Sequence, residues 1–240
     1  DLHERYRRQR QMWKEPGTCV LAAYYELAED ARLHVSRLES GLTKTIIYDQ
    51  RHSVLAARAR ADFYAAELGG EKIIVHSYGK LSGDASEMNE RAIYAGRGKQ
   101  HLDFFYHIDH VGKKTKAEID LKGALADESK KIFRGTLDFK RGCAGSVGDE
   151  GDFAIQLDPK TKNISLPLLL CTEDDVQGNH ASSAGQLDQN TIYFLMSRGF
   201  TLEEARRIVV EALIRPIIDG MDETIREEVL TAVREKLDRE

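Results

Sequence analysis

The chain has 240 residues, with 35 basic and 40 acidic side chains and a net charge of −5. Apolar residues make up 41% and charged residues 31%, as in a folded domain and unlike a disordered tail. The slight acidity offers no basic footprint for nucleic acid. The longest apolar run, near residues 164–171, is far short of the roughly 20 residues that span a bilayer.

The basic start (Arg5, Arg7, Arg8, Arg10) leads only into a short apolar stretch, 19–25, before Glu26. That is a poor secretory signal. The first residue is Asp1 rather than Met, which raises the expectation of a missing or removed N-terminal piece. Residues 1–20 read as a helical or extended segment.

From about Leu21 to Val176 the pattern has period two and is broken by Gly, Asp, Asn and Lys. Short strands are predicted at 44–48, 72–76, 101–107, 117–121, 132–139, 153–157 and 164–170. Residues 54–68 are rich in Ala. There Ala57, Ala59, Ala61, Phe63 and Ala65 alternate with Arg58, Arg60, Asp62 and Tyr64. Small residues at every second position suit a narrow interior, so strand is preferred to helix. No amphipathic helix separates these strands, which argues against βα units. A sandwich, a barrel and a solenoid remain open, and no fixed-length repeat chooses among them.

Beyond Gln186 the period changes. Asp188 can cap a helix that runs to Arg198 and stops at Gly199. Thr201 and Glu204 form a capping box. Ala205, Ile208, Val209, Ala212 and Leu213 share one face of the next helix, and Pro216 is expected to kink or end it. Asp222 starts a last helix carrying Ile225, Val229, Ala232, Val233 and Leu237.

The chemistry legible from residues alone is sparse. Cys19, Cys143 and Cys171 are odd in number and far apart, so a reducing cytoplasm is expected and no disulfide framework. There is no P-loop: Gly96-Arg97-Gly98-Lys99-Gln100 lacks the spacing and the hydroxyl, and reads as an ordinary turn more readily than as a phosphate cradle. There is no nucleophile elbow and no acid/base pair, so no enzymatic turnover is expected. His101, Asp103, His107 and Asp109 would share one strand face. That set could hold zinc or iron, but reads more readily as a polar sheet face. Cys171, ending an apolar run, and His180, beyond the acidic turn Glu173-Asp174-Asp175, are a second donor pair of the kind iron accepts. Spacing alone favours a structural cysteine and a surface histidine.

The segment Glu173-Asp-Asp-Val-Gln-Gly-Asn-His-Ala-Ser-Ser-Ala-Gly-Gln-Leu-Asp188 is followed by Ile192-Tyr-Phe-Leu-Met-Ser-Arg-Gly199 and Glu203-Glu-Ala-Arg206. In order and spacing this resembles the C-terminal signature of the SufB/SufD family of the SUF iron–sulfur cluster assembly system. Phe105-Tyr-His-Ile-Asp-His110, Lys122-Gly-Ala-Leu125 and Phe133-Arg-Gly135 resemble the family's preceding turns.

The resemblance implies a mainly β chain: a right-handed parallel β-helix over 21–176 capped by a C-terminal helical domain over 177–240. Residues 2–13 would be at most a remnant of the family's N-terminal helical domain. It also implies a homodimer or a heterodimer with a SufB/SufD-like chain, a SufC-type ABC ATPase docked on the C-terminal helices, and a transient iron–sulfur cluster. His180 falls on the family's functional histidine and Cys171 on a position where SufB proteins often carry Cys. Two positions depart from SufB: residues 149–153 hold no cysteine, and Ala181 stands where a Glu follows the histidine. The expected ATPase groove is lined by Leu195, Ile208 and Ile214 with Arg198 and Arg207 on its rim. The alternatives are a structural subunit that holds the ATPase without a cluster and, from another class, a β-helix carbohydrate-active enzyme. The latter would need paired carboxylates in a cleft, and none is indicated.

Overall fold

The computed structural model describes residues 17–41 and 43–238, so residues 2–13 lie outside the described part. Consecutive strands alternate between two parallel sheets. Sheet A takes β1 (Gly17–Leu27), β3 (Thr45–Leu55), β5 (Lys72–Leu81), β7 (His101–His110), β9 (Lys130–Phe139) and β11 (Lys162–Cys171) in that spatial order. Sheet B takes β2 (Arg32–Glu39), β4 (Arg60–Glu67), β6 (Glu87–Gly96), β8 (Lys116–Leu125), β10 (Ser146–Gln156) and β12 (Val176–Gln186). A chain that returns to the same sheet at every second strand is a parallel β-solenoid, here of about six turns.

The rungs differ in length. Gly17 pairs with Thr45, 28 residues on; Ile46 pairs with Lys72, 26 on; Lys130 pairs with Lys162, 32 on. This drift hides the repeat from the sequence. The alternating alanines of 54–68 belong to the end of β3, a turn and β4. Ala59, Ala61, Phe63 and Ala65 all face inward and are at most 2% exposed.

One corner of the solenoid is a stack of turns in the left-handed backbone region. Asp30, Arg58, Ala85, Lys114 and Gly145 have φ of 61°, 57°, 54°, 55° and 76°. This conformation costs an L-residue roughly 1–2 kcal/mol. The stack offsets it with a hydrogen bond from each residue to the next rung: Asp30 N to Ala57 O, Arg58 N to Asp84 O, Ala85 N to Lys113 O, Lys114 N to Ala144 O and Gly145 N to Asp175 O.

Three helices follow: α1 (Gln189–Ser197), α2 (Leu202–Gly220) and α3 (Glu223–Leu237). Their caps are those expected, with Asp188, the Thr201–Glu204 box and Asp222 in place. Three expectations are corrected. β12 carries the solenoid on to Gln186, so residues 177–186 belong to sheet B and not to the helical domain. Pro216 does not end its helix, because α2 runs through it to Gly220. Pro216 and Ala212, four residues earlier, are both exposed, so water can solvate the carbonyl that lacks an N–H partner.

The third correction concerns Ile214, expected to line the ATPase groove: α2 and α3 lie back along the outer face of sheet B, and Ile214 is buried between them and the sheet. Ile214, Ile217, Ile218, Met221, Val229, Leu230 and Val233 form a second core there with Ala66, Leu68, Ile93 and Ala95. Lys236 Nζ donates to Leu68 O at 2.7 Å and Asp222 N to Ser36 Oγ at 2.8 Å, pinning both ends of α3.

Close backbone approach between rungs makes some glycines obligatory. A Cβ on Gly123 would lie 2.1 Å from the Tyr94 carbonyl oxygen, a backbone atom that cannot move alone. Gly123→Ala is expected to cost about 1–3 kcal/mol or more. Urea unfolding compared with an alanine at the open Gly185 position checks this.

Candidate functional site at the open end of the solenoid

The last rung consists of β11 and β12. Among the described residues each is hydrogen-bonded on one side only, β11 to β9 and β12 to β10. The outward face of β11 is an apolar stripe, with Ile164, Leu166, Leu168 and Leu170 39–53% exposed. Pro167 fits this position, because only an edge strand tolerates the missing N–H.

In a parallel ladder, in-register residues point to the same face. Cys171 is in register with Phe139 and His180 with Glu150, and both partners are buried in the interior. Cys171 and His180 are therefore on the inner face of the terminal rung, one on each sheet. Both are exposed because no further rung covers them. The thiol and the imidazole thus share the mouth of the solenoid, while Cys19 and Cys143 are buried.

Directly beneath His180 in register is Glu150, which sequence reasoning missed. It is 3% exposed, and neither carboxyl oxygen has a hydrogen-bond partner among the described residues. Gly135 makes room for it: a Cβ there would meet Glu150 Oε1 at 1.9 Å. Burial, with a smaller contribution from Asp152, pushes its pKa up to about 8. In the same rung as Glu150, Lys131 of β9 and Asp152 of β10 form a buried ion pair. The only sequence hint of Glu150 was its place on an inward-facing position of β10, and that needs the register to be known.

The histidine-rich strand β7 divides in two. His101 stands apart at its start, and Asp103 pairs with Arg134. His107 Nε2 lies 3.0 Å from Asp109 Oδ1, and Asp138 of β9 completes a group whose donor atoms lie within 4.8 Å of one another. The ammonium of Lys140 sits against both carboxylates, 3.3 Å from Asp109 Oδ1, and Tyr78 OH donates to Asp109. The group is an ion-pair network with a lysine in the place a metal would take.

The residues expected to dock an ATPase are distributed unevenly. Leu195 is half-buried and Arg198 exposed, its guanidinium 5.0 Å from the centre of the Phe194 ring. Arg207 pairs with Asp238 at 2.6 Å, and Ile208 is half-buried on α2. Ile214 is 1% exposed and belongs to the seat of α2 on sheet B. Missed by sequence reasoning is the apolar surface of α1 and the loop after it: Tyr193, Phe194, Met196 and Phe200 are 42–76% exposed.

A parallel solenoid whose last rung carries the Asp-Asp-Val and His180 motif, followed by the α1 signature, defines a class of SUF-system protein. The chain belongs to the SufBD family: the family model described as "SUF system FeS cluster assembly, SufBD core domain" matches residues 7–213. It is 26% identical over 204 residues to the iron–sulfur cluster assembly protein SufD of Bacillus subtilis (strain 168), covering 85% of this chain and 46% of that one. It is 25% identical over 216 residues to a SufBD-family iron–sulfur cluster assembly protein of Mycobacterium leprae (strain TN), covering 86% and 55%. A SufBD-family protein of Mycobacterium tuberculosis (strain ATCC 25618 / H37Rv) is 22% identical over 231 residues, covering 92% and 58%. The chain thus spans about half the length of these curated relatives. Among the described residues no helix is long and apolar enough to cross a membrane.

The buried Glu150 makes stability depend on pH. Its folded-state pKa of about 8 lies above the ordinary 4.5, so the native state holds a proton that the unfolded chain releases. Stability therefore falls as pH rises from about 4.5 to about 8. Glu39, pushed up to about 7 by burial and then by Glu67, adds to the lower part of that slope. Glu150→Gln is expected to abolish the fall between about pH 7 and 8 and to leave the variant the more stable protein at about pH 9. Urea midpoints across that range check the sign.

Proposed function

We propose that this chain is a scaffold subunit on which nascent iron–sulfur clusters are built or handed on. It has no turnover of its own and works in a reducing cytoplasm with a SufC-type ABC ATPase. The observation that carries the reading is the open terminal rung, where an exposed thiol and an exposed imidazole share the inner face of two strands, each paired on one side only among the described residues. The cluster is the cargo of this site. Thiolate sulfur and imidazole nitrogen are iron ligands in clusters, and the Glu150 carboxyl behind His180 adds an oxygen donor that the Ala181 position lacks.

The same rung supplies the reason for a dimer. Unpaired strand edges beside an exposed apolar stripe are unstable against association. A second SufB/SufD-like chain, the same or different, satisfies them and brings its own donors to the mouth. Support for the ATPase comes from family membership and from α1, whose exposed aromatic surface is rigidly capped. A rigid surface loses little entropy on docking. Ala181 and the cysteine-free stretch 149–153 favour a second reading, in which the subunit holds the ATPase and its partner supplies the cluster ligands.

Anaerobic reconstitution with iron and sulfide separates the two. Under the first reading the protein gains visible charge-transfer absorption, and Cys171→Ser or His180→Ala loses most of it. Undiminished loading of both variants excludes these residues as ligands, and no loading of the wild type supports the second reading.

The docking surface is tested by point changes on α1, because removing α2 and α3 would uncover the apolar face of sheet B. Tyr193→Ser with Phe194→Ser is expected to abolish co-purification of the ATPase while leaving the thermal midpoint unchanged. Retention of the ATPase by this variant moves the docking surface elsewhere.

A further inference from the structure

On sheet A four strands begin with a basic side chain in one register column that runs up to the last rung: Lys72 of β5, His101 of β7, Lys130 of β9 and Lys162 of β11. Neighbouring strands lie about 4.8 Å apart. Like charges directly opposite one another destabilise a sheet, and Lys130 opposite Lys162 sets up that conflict in a chain whose net charge is −5. Lys72, Lys99, Lys130 and Lys162 make no ion pair among the described residues. Of the nearby acids, Asp103 pairs with Arg134 and Glu128 with the neighbouring Lys160.

The column borders a depression of about 530 Å³ lined by Lys99, His101, Glu128, Lys130, Lys160 and Lys162. Two features point to an anion. His101 lines the depression, and its Nε2 is buried behind the surface without a hydrogen-bond partner. Burial, then Lys130 and Lys72, push the His101 pKa down, as a positive local potential does. Lys99 enters from the turn Gly96-Arg97-Gly98-Lys99-Gln100. The Gly98 N–H of that turn is already donated to Asp127 at 2.9 Å, so side chains rather than backbone would hold the ligand.

We propose that this depression binds a multiply charged phosphate group, of the diphosphate class, held by Lys99, Lys130 and Lys162. Bound phosphate oxygens offset the repulsion along the column, so the site costs stability when empty and returns it when filled. A free diphosphate and the diphosphate of a nucleotide share this chemistry.

The test is calorimetry and thermal unfolding of the whole chain with pyrophosphate, ADP and hexaglutamate at constant ionic strength. Pyrophosphate is expected to bind and to raise the thermal midpoint. Lys130→Gln and Lys162→Gln should each weaken binding about tenfold and raise the midpoint of the ligand-free protein. Lys116→Gln, at the start of β8 on the other sheet, should change neither. ADP binding tighter than pyrophosphate assigns the site to a nucleotide, and weaker binding assigns it to free diphosphate. The proposal is overturned if the wild type does not bind pyrophosphate, if Lys130→Gln binds it equally well, or if only hexaglutamate binds.

Discussion

The structure depends on one constraint: in a parallel solenoid the backbone of each rung is satisfied only by the rungs on either side of it. Every interior strand here has both neighbours, and the two strands of the last rung have one each. Register follows from this pairing, and register places side chains. It stacks His180 on Glu150, aligns Cys171 with Phe139, and puts Lys130 between His101 and Lys162. The candidate functional site thus sits at a place where, among the described residues, the repeating hydrogen-bond pattern stops.

The same stacking forces charge into a narrow interior. Arg37 reaches Asp49 at 2.6 Å and also pairs with Glu67, while Arg51 reaches Glu90 at 3.2 Å, and Ser77 donates to Glu90 at 2.5 Å. A buried charge without a partner costs several kcal/mol. The interior answers in two ways. Arginines are set against carboxylates of the next rung, and Glu39 and Glu150, which lack a full partner, are shifted toward the protonated form by burial.

The helices solve a different problem. Sheet B presents Ala66, Leu68, Ile93 and Ala95 outward, an apolar face that one layer of solenoid cannot bury. α2 and α3 cover it, and Gly220 lets α2 come down on the ring of Tyr64, where a Cβ would lie 2.3 Å from the ring. That fit fixes α2 to the solenoid and leaves α1, with Tyr193 and Phe194 exposed, as the free surface of the C-terminal region.

Period-two alternation, the helix caps and the absence of crossover helices were legible in the sequence, because each is a local property of a few neighbouring residues. So were the motifs around His180 and α1, which carried the family. β2 and β6 were not singled out, since Arg32–Glu39 and Glu87–Gly96 mix charged and apolar side chains whose partners lie a full rung away. β12 was hidden for a related reason: Val176–Gln186 is polar and exposed, and only its pairing with β10 makes it a strand. The left-handed turns at Arg58, Ala85 and Lys114 bear no glycine, because the stabilising hydrogen bond comes from the next turn of the solenoid. Cys171 and His180 could be named as donors from the chain alone. That they share the mouth of one rung, with Glu150 behind, was decided by rung lengths that vary along the molecule, and only the tertiary structure holds that register.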